Sequence, residues 1–240
     1  MIRRGTRYLH VFSIDNALTK IADPVFLGHC IRTGADCGNK VVWKTGPHEK
    51  VGVLANRGGK PCIVEYSEIT TEMAERTDPA TGRLVFGAGN ICNHFYTLAF
   101  LTGKVLPNLG SMYHIARKKI PSYDAGSGTT VTPASNNGIK LESFIFDVFP
   151  WSEAMAVLDV VRHEEFAPVK NAPGSASDSP DTARAYLSRQ AREWVVAAGG
   201  ALAAAGEDEG CCEIAPATSY GGEGLAGLVK GKTLECPFSL

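Results

Sequence analysis

From residue 8 to residue 14, aromatic, β-branched and aliphatic side chains follow one another as they do in a buried strand, and the run stops at the polar pair Asp15-Asn16. A carboxylate is thereby predicted at a strand's C-terminal end. Asp23-Pro24 offers an N-cap and a first-turn proline, and Gly34 offers a stop, so a helix is predicted between them with Leu27, Cys30 and Ile31 as its apolar positions. Short strand-like runs follow at residues 40–44, 51–55 and 62–66. Arg57-Gly58-Gly59-Lys60 predicts a hairpin turn between the last two. Apolar segments at 84–86 and 91–100 flank a Gly87-Ala88-Gly89-Asn90 break, and residues 111–120 read as a short amphipathic helix with a basic end.

Residues 124–138 are Gly, Ser, Thr, Pro and Asn with almost no apolar position, which predicts a surface loop. Residues 139–149 resume as a strand whose alternation sets Phe144, Phe146 and Val148 on one face and Ile145, Asp147 and Phe149 on the other. A second loop at 167–180, rich in Pro, Ser and Ala, precedes a helical pattern at 181–198 with Tyr186, Leu187, Trp194 and Val195 as apolar landmarks. An Ala/Gly-rich stretch at 199–210 and a glycine-punctuated tail close the chain, and that tail is too short to make a core alone. The pattern is α/β, with a boundary near the second loop that divides residues 1–167 from residues 168–240.

Composition narrows the function classes. The 240 residues are 44% hydrophobic and 8% aromatic, enough for one large domain or two modest ones. Lys and Arg (24) balance Asp and Glu (25), so no global field favours a nucleic acid or an acidic membrane face, whereas a nucleotide-sized anion needs only a few local groups. No run approaches the roughly 20 apolar residues of a membrane span, and residues 1–5 lack a signal-peptide core, so a cytoplasmic location is expected. Seven cysteines without a CxxC pair fit reduced thiols used as small hydrophobes, and Cys211-Cys212 is poorly placed to chelate zinc.

Several positions are candidates for chemistry, each with an ordinary structural alternative. Asp15-Asn16 sits where α/β sheets bind ligands and could offer a carboxylate to a hard cation such as Mg²⁺, or could be a turn. Glu65-Tyr66 at a strand end and Asn90 after a GxG pair suit a sugar but also suit a surface. Phe144 and Phe146 read first as core and second as a pocket wall. Lys170-Asn171 lies in the second loop, where a lysine faces either solvent or a phosphate. His94 and His114 have no Ser or Cys partner pattern and read as structural.

Nine segments in order, HVFSIDNALTKIADPVFLG, GADCGNKVV, VGVL, VEYSEI, FGAGNICNHF, NGIKLESFIFDVF, FAPVKNA, TAR and CEIAPATSYGGEGL, resemble the UDP-N-acetylglucosamine (UDP-N-acetylhexosamine) pyrophosphorylase family almost from end to end. The resemblance implies part of an open, Rossmann-like mixed-sheet nucleotide-sugar transferase domain followed by a small C-terminal α+β domain. It implies transfer of UMP from UTP to N-acetylglucosamine 1-phosphate, giving UDP-GlcNAc and pyrophosphate, with Mg²⁺. Asp15 matches the family's Mg²⁺ ligand, with Asn16 beside it. Gly52, Glu65, Tyr66 and Asn90 match positions around the N-acetylhexosamine, Phe144 and Phe146 the aromatic wall near the acetamido group, and Lys170 a phosphate-contacting lysine.

One family segment, a glycine-rich LxGGxGTRLG loop that holds the uridine triphosphate, is not found in this sequence. Met1 is accordingly expected to be an internal methionine and the chain the C-terminal half of a longer enzyme. The alternative is a non-catalytic remnant or interaction module that keeps the sugar pocket without the nucleotide loop.

Overall fold

A computed structural model describes residues 1–110, 113–203 and 211–240. The protein is a mixed α/β structure. Its strands are β1 (Tyr8–Phe12), β2 (Cys37–Trp43), β3 (Val53–Arg57), β4 (Lys60–Val64), β5 (Ala88–Thr97), β6 (His114–Lys118), β7 (Ser122–Asp124), β8 (Thr129–Val131), β9 (Gly138–Glu142), β10 (Met155–Asp159), β11 (Ala201–Leu202) and β12 (Thr233–Leu234). Six of them form the main sheet in the order β10-β2-β5-β3-β4, and β1 shares with β3 the far edge of the long strand β5. Only β10 and β2 run parallel; the other pairings in this sheet are antiparallel.

The predicted first helix is present as Pro24–Arg32, and the Asp23 carboxylate accepts the Val25 N–H as its N-cap. It buries Phe26 and Cys30, one turn apart, against Phe95 and Ala156. Gly38 on β2 permits this approach, because a Cβ there would meet Cys30 Sγ at 2.6 Å. The opposite face is closed by Cys37, Ile63, Tyr96, Phe100, Val105, Phe146 and Phe149. Gly58 and Gly59 both take positive φ in the β3–β4 hairpin, as a two-residue turn of this hand requires. A long helix (Pro180–Ala197) starts at a Ser179–Thr182 capping box, and its Val195 packs with Leu225 and Val229.

Four predicted elements differ. The part of the 111–120 helix that lies within the described residues contains strand β6, paired with β9, because the hydrogen bonds to that partner outweigh helical periodicity. The 139–149 strand ends at Glu142. Beyond it Asp147 Oδ2 accepts the Phe144 N–H at 2.7 Å and turns the chain, which brings Phe146 and Phe149 to the same core instead of opposite faces. The Gly87–Asn90 segment is no turn but the entry of β5, and Gly87 is needed because a Cβ would stand 2.3 Å from the Trp43 indole. The 124–138 loop is exposed but carries the small β7–β8 hairpin. Residues 204–210 of the Ala/Gly-rich stretch lie outside the described residues. No described helix is long and apolar enough to cross a membrane.

Candidate functional site

After β1 the chain is sewn to the segment that leads into the second loop. Asn16 donates through Nδ2 to the Glu165 carbonyl at 2.8 Å, and its Oδ1 accepts the Ala167 N–H at 2.8 Å and the Leu18 N–H at 3.3 Å. The Ala17 and Val169 N–H groups donate to the Ala167 and Asp15 carbonyls. Asp15 and Lys170 are thus brought to one end of the sheet by a buried amide whose bonds go to backbone. Asn16→Ala should cost about 1–3 kcal/mol by leaving buried backbone groups without their partner, measured by chemical denaturation.

Beneath this seam lies an ionic cluster that sequence reading did not single out. Lys40, with no exposed side-chain surface, holds Asp23 Oδ2 at 2.5 Å and also bonds Glu165 Oε2, while Lys20 reaches Glu165 Oε1 at 3.3 Å. Burial works to raise the Asp23 pKa, but the Lys40 hydrogen bond and charge, with the Val25 and Phe26 N–H groups, bring it below the usual carboxylate value.

The second wall comes from β5. Three of its residues, 91–93, stand opposite the single Lys40 of β2, so β5 bulges, and Cys92 within the bulge takes φ +51°, a conformation that costs a non-glycine residue energy. Asn90 Oδ1 accepts the Cys92 N–H at 3.1 Å, and the Asn90 N–H donates to the Gly52 carbonyl at 2.8 Å. Gly52 carries the Glu65 carboxylate directly on its Cα: a Cβ would meet Glu65 Oε1 at 2.7 Å. Burial raises the Cys92 thiol pKa, Glu65 and Asp15 push it further up, and Lys170 pulls it down. The Cys92 thiol at the bulge thus lies within electrostatic reach of Glu65, Asp15 and Lys170. The Glu65 pKa is itself raised, first by burial and then by the Glu68 charge.

The third wall is the 144–149 turn. Phe144 and Phe146 stack at 4.9 Å with 12° between their planes. Phe146 is 6% exposed and belongs to the core, packed on His94 and Phe149, so Phe144, partly buried between Phe146 and His114, is the more accessible of the two. Tyr66 lies at the rim, 49% exposed. Local sequence held no signal for Lys40 or the His114–Asp147 contact described below, since their partners come from 17 to 125 residues away. A cleft of about 600 Å³ between Leu18–Ile21 and the long helix contains none of the predicted site residues.

The family model described as UTP–glucose-1-phosphate uridylyltransferase matches residues 1–182. The chain belongs to this uridylyltransferase family. It is 45% identical to the UDP-N-acetylhexosamine pyrophosphorylase-like protein 1 of Xenopus tropicalis over 99% of its own length and 49% of that protein's. It is 42% identical to the UDP-N-acetylglucosamine pyrophosphorylase of Saccharomyces cerevisiae, over 97% and 48%. The uridine diphosphate N-acetylglucosamine pyrophosphorylase from Trypanosoma brucei superposes with a TM-score of 0.77 at 35% identity, covering 94% of this chain and 46% of that one. The chain spans about half the length of the relatives it matches.

Proposed function

We propose that the site is the sugar and phosphate side of a UDP-N-acetylglucosamine diphosphorylase centre, in which a phosphate oxygen of N-acetylglucosamine 1-phosphate attacks the α-phosphorus of UTP. The new P–O bond forms as the bond to the pyrophosphate oxygen breaks, and pyrophosphate leaves without a covalent enzyme intermediate. The observation that carries this reading is that the Asn16 seam joins the Asp15 backbone to the segment leading to Lys170, while Gly52 packs under the Glu65 carboxylate and accepts the Asn90 N–H, with the charges of Asp15, Lys170 and Glu65 all reaching Cys92.

Lys170 offers a cation to the phosphates, and among the described residues neither it nor Asp15 is engaged in an ion pair. Asp15 fits Mg²⁺. No described group of three or more His, Cys, Asp or Glu is arranged to hold a metal, and Asp15 would hold Mg²⁺ as a lone carboxylate, with phosphate and water oxygens to complete its shell. Bound there, Mg²⁺ offsets phosphate charge. Asn16 holds Asp15 in place, Glu65 and Asn90 hydrogen-bond the sugar, Tyr66 borders it, and Phe144, backed by Phe146, packs on the acetamido methyl. In this reading residues 1–167 form part of a Rossmann-like transferase domain of a cytoplasmic protein, and residues 168–240 a small C-terminal α+β domain.

The 240-residue chain should bind UDP-N-acetylglucosamine in the presence of Mg²⁺ about 10-fold or more tighter than UDP-glucose, because filling an apolar surface with a methyl is worth about 1–3 kcal/mol. Calorimetry checks this, and equal affinity for the two, or none, overturns the reading. UTP formation from UDP-N-acetylglucosamine and pyrophosphate separates an enzyme from a module that only binds.

A further inference from the structure

His114 has a carboxylate at each ring nitrogen: Asp147 Oδ1 at 2.7 Å from Nε2 and Glu68 Oε1 at 3.1 Å from Nδ1. What the two carboxylates do with their other oxygens gives the arrangement its meaning. Asp147 Oδ2 accepts the N–H of Phe144 at 2.7 Å, and Glu68 Oε2 accepts the N–H of Glu65 at 3.4 Å. The 65–69 turn is closed on itself as well, with the Glu68 and Ile69 N–H groups donating to the Glu65 carbonyl. A single imidazole thus stands midway in a hydrogen-bonded chain from the backbone of Glu65 to the backbone of Phe144, and its ring lies 5.1 Å from that of Phe144.

We infer that His114 is a positioning residue for the hexosamine pocket, its imidazolium tying the Glu65 turn to the Phe144 turn and so fixing the gap that the N-acetylated sugar enters. The inference rests on the sugar site proposed above. Both carboxylates accept, so the ring must donate from both nitrogens, and only the charged form does. A neutral ring turns a lone pair toward one carboxylate and breaks the chain at that link. The groups facing the ring are Glu68 and Glu65 from the 65–69 turn, Asp147 from the 144–149 turn, and Glu142 opposite it on β9, itself 3.9 Å from Lys118.

The geometry also sets a direction with pH. Burial lowers the His114 pKa, but the hydrogen bonds and charges of Asp147 and Glu68 outweigh it and leave the group above its ordinary 6.5. A raised folded-state value means that the tie is complete below pH 6.5 and is lost as pH rises through the higher folded pKa.

The test uses the full chain and two readouts, from about pH 6 to about pH 8.5. The first is affinity for UDP-N-acetylglucosamine, whose diphosphate diester loses no proton in this range. The second is amide hydrogen exchange, corrected for intrinsic rate, in residues 65–69 and 144–149. The wild-type chain should bind about tenfold more weakly at the upper end, and both segments should lose protection together. H114Q can reach Asp147 but cannot donate to Glu68 as well; it should show the weaker affinity and the lower protection at both ends of the range. E68Q, which leaves the imidazole in place, should flatten the same profile. If H114Q and E68Q keep the wild-type pH profile and the two segments open independently, His114 does not tie the walls. If wild-type chain binds no UDP-N-acetylglucosamine at any pH, the proposed sugar site fails, and joint opening of the two segments in the exchange data still decides whether the tie exists.

Discussion

Lys40→Ala is expected to lower the unfolding free energy by about 3–5 kcal/mol, the cost of removing one partner from a buried ion cluster. The ammonium is fully buried between Asp23 and Glu165, and without it only the half-exposed Lys20 remains, on the Glu165 side. The sign of the pH dependence should change with the substitution. In the wild-type chain Asp23 is depressed below 3.8, so its contribution is present above pH 3.8 and is lost as pH falls through the lower folded value. Without Lys40 the burial that now opposes ionisation goes unanswered, the Asp23 pKa rises, and the variant gains stability relative to wild type as pH falls into the range where Asp23 protonates. Urea denaturation at neutral and mildly acid pH reads both effects. A loss below about 1 kcal/mol at neutral pH, or a gap that does not narrow on acidification, would show that the cluster is replaceable by water.

Lys40 also explains why part of the fold was illegible. A lysine next to Asn39 carries no local sign of burial, yet every residue of β2 except Trp43 is buried, because β2 lies between β5 and β10 with a helix on one face and the 146–149 aromatics on the other. Residues 155–161, apolar but for Asp159, have the composition of a strand, but the parallel pairing of β10 with β2 from more than a hundred residues away has no local signature. Elements whose boundaries are chemical were readable: the Asp23-Pro24 start, the Gly34 stop and the Gly58-Gly59 turn all stand where the residues demand them. Elements whose form depends on a distant partner were not. The 114–118 segment became a strand because β9 is there to pair with it, and Asp147 bent the 143–149 segment because its carboxylate found the Phe144 N–H and the His114 ring.

The candidate site divides along the same line. Asp15 at a strand end, Glu65 at a hairpin end and Asn90 beside small residues are positions a chain reader can mark, since each follows from where a run stops. That the Asp15 and Lys170 segments are joined, and that β5 bulges at Cys92, follows from the Asn16 seam and from the register irregularity at Lys40, neither of which has a local pattern.

Gly52→Ala is expected to weaken UDP-N-acetylglucosamine binding about 100-fold while leaving the chain folded, the scale of loss that follows from moving a contacting group by about an ångström. Gly52 does not occupy the left-handed region, so the backbone accepts alanine and only space resists it. The new methyl would stand 2.7 Å from Glu65 Oε1 and 2.8 Å from Ile63 Cγ2. The carboxylate is the free end of a flexible chain and gives way first, leaving the sugar-facing position that the Gly52 surface now imposes. A contrast makes this specific: Gly38→Ala meets Cys30 Sγ at 2.6 Å inside the core, where the cost should fall on stability and leave the affinity of the folded molecules unchanged. If Gly52 acts through Glu65, then Gly52→Ala combined with Glu65→Ala should bind no more weakly than Glu65→Ala alone, since the methyl has no carboxylate left to displace. Calorimetric titration of the four forms of that cycle reads the coupling directly. Additive losses would mean that Gly52 touches the ligand through its own backbone, and an unchanged affinity in Gly52→Ala would remove Glu65 from the sugar site.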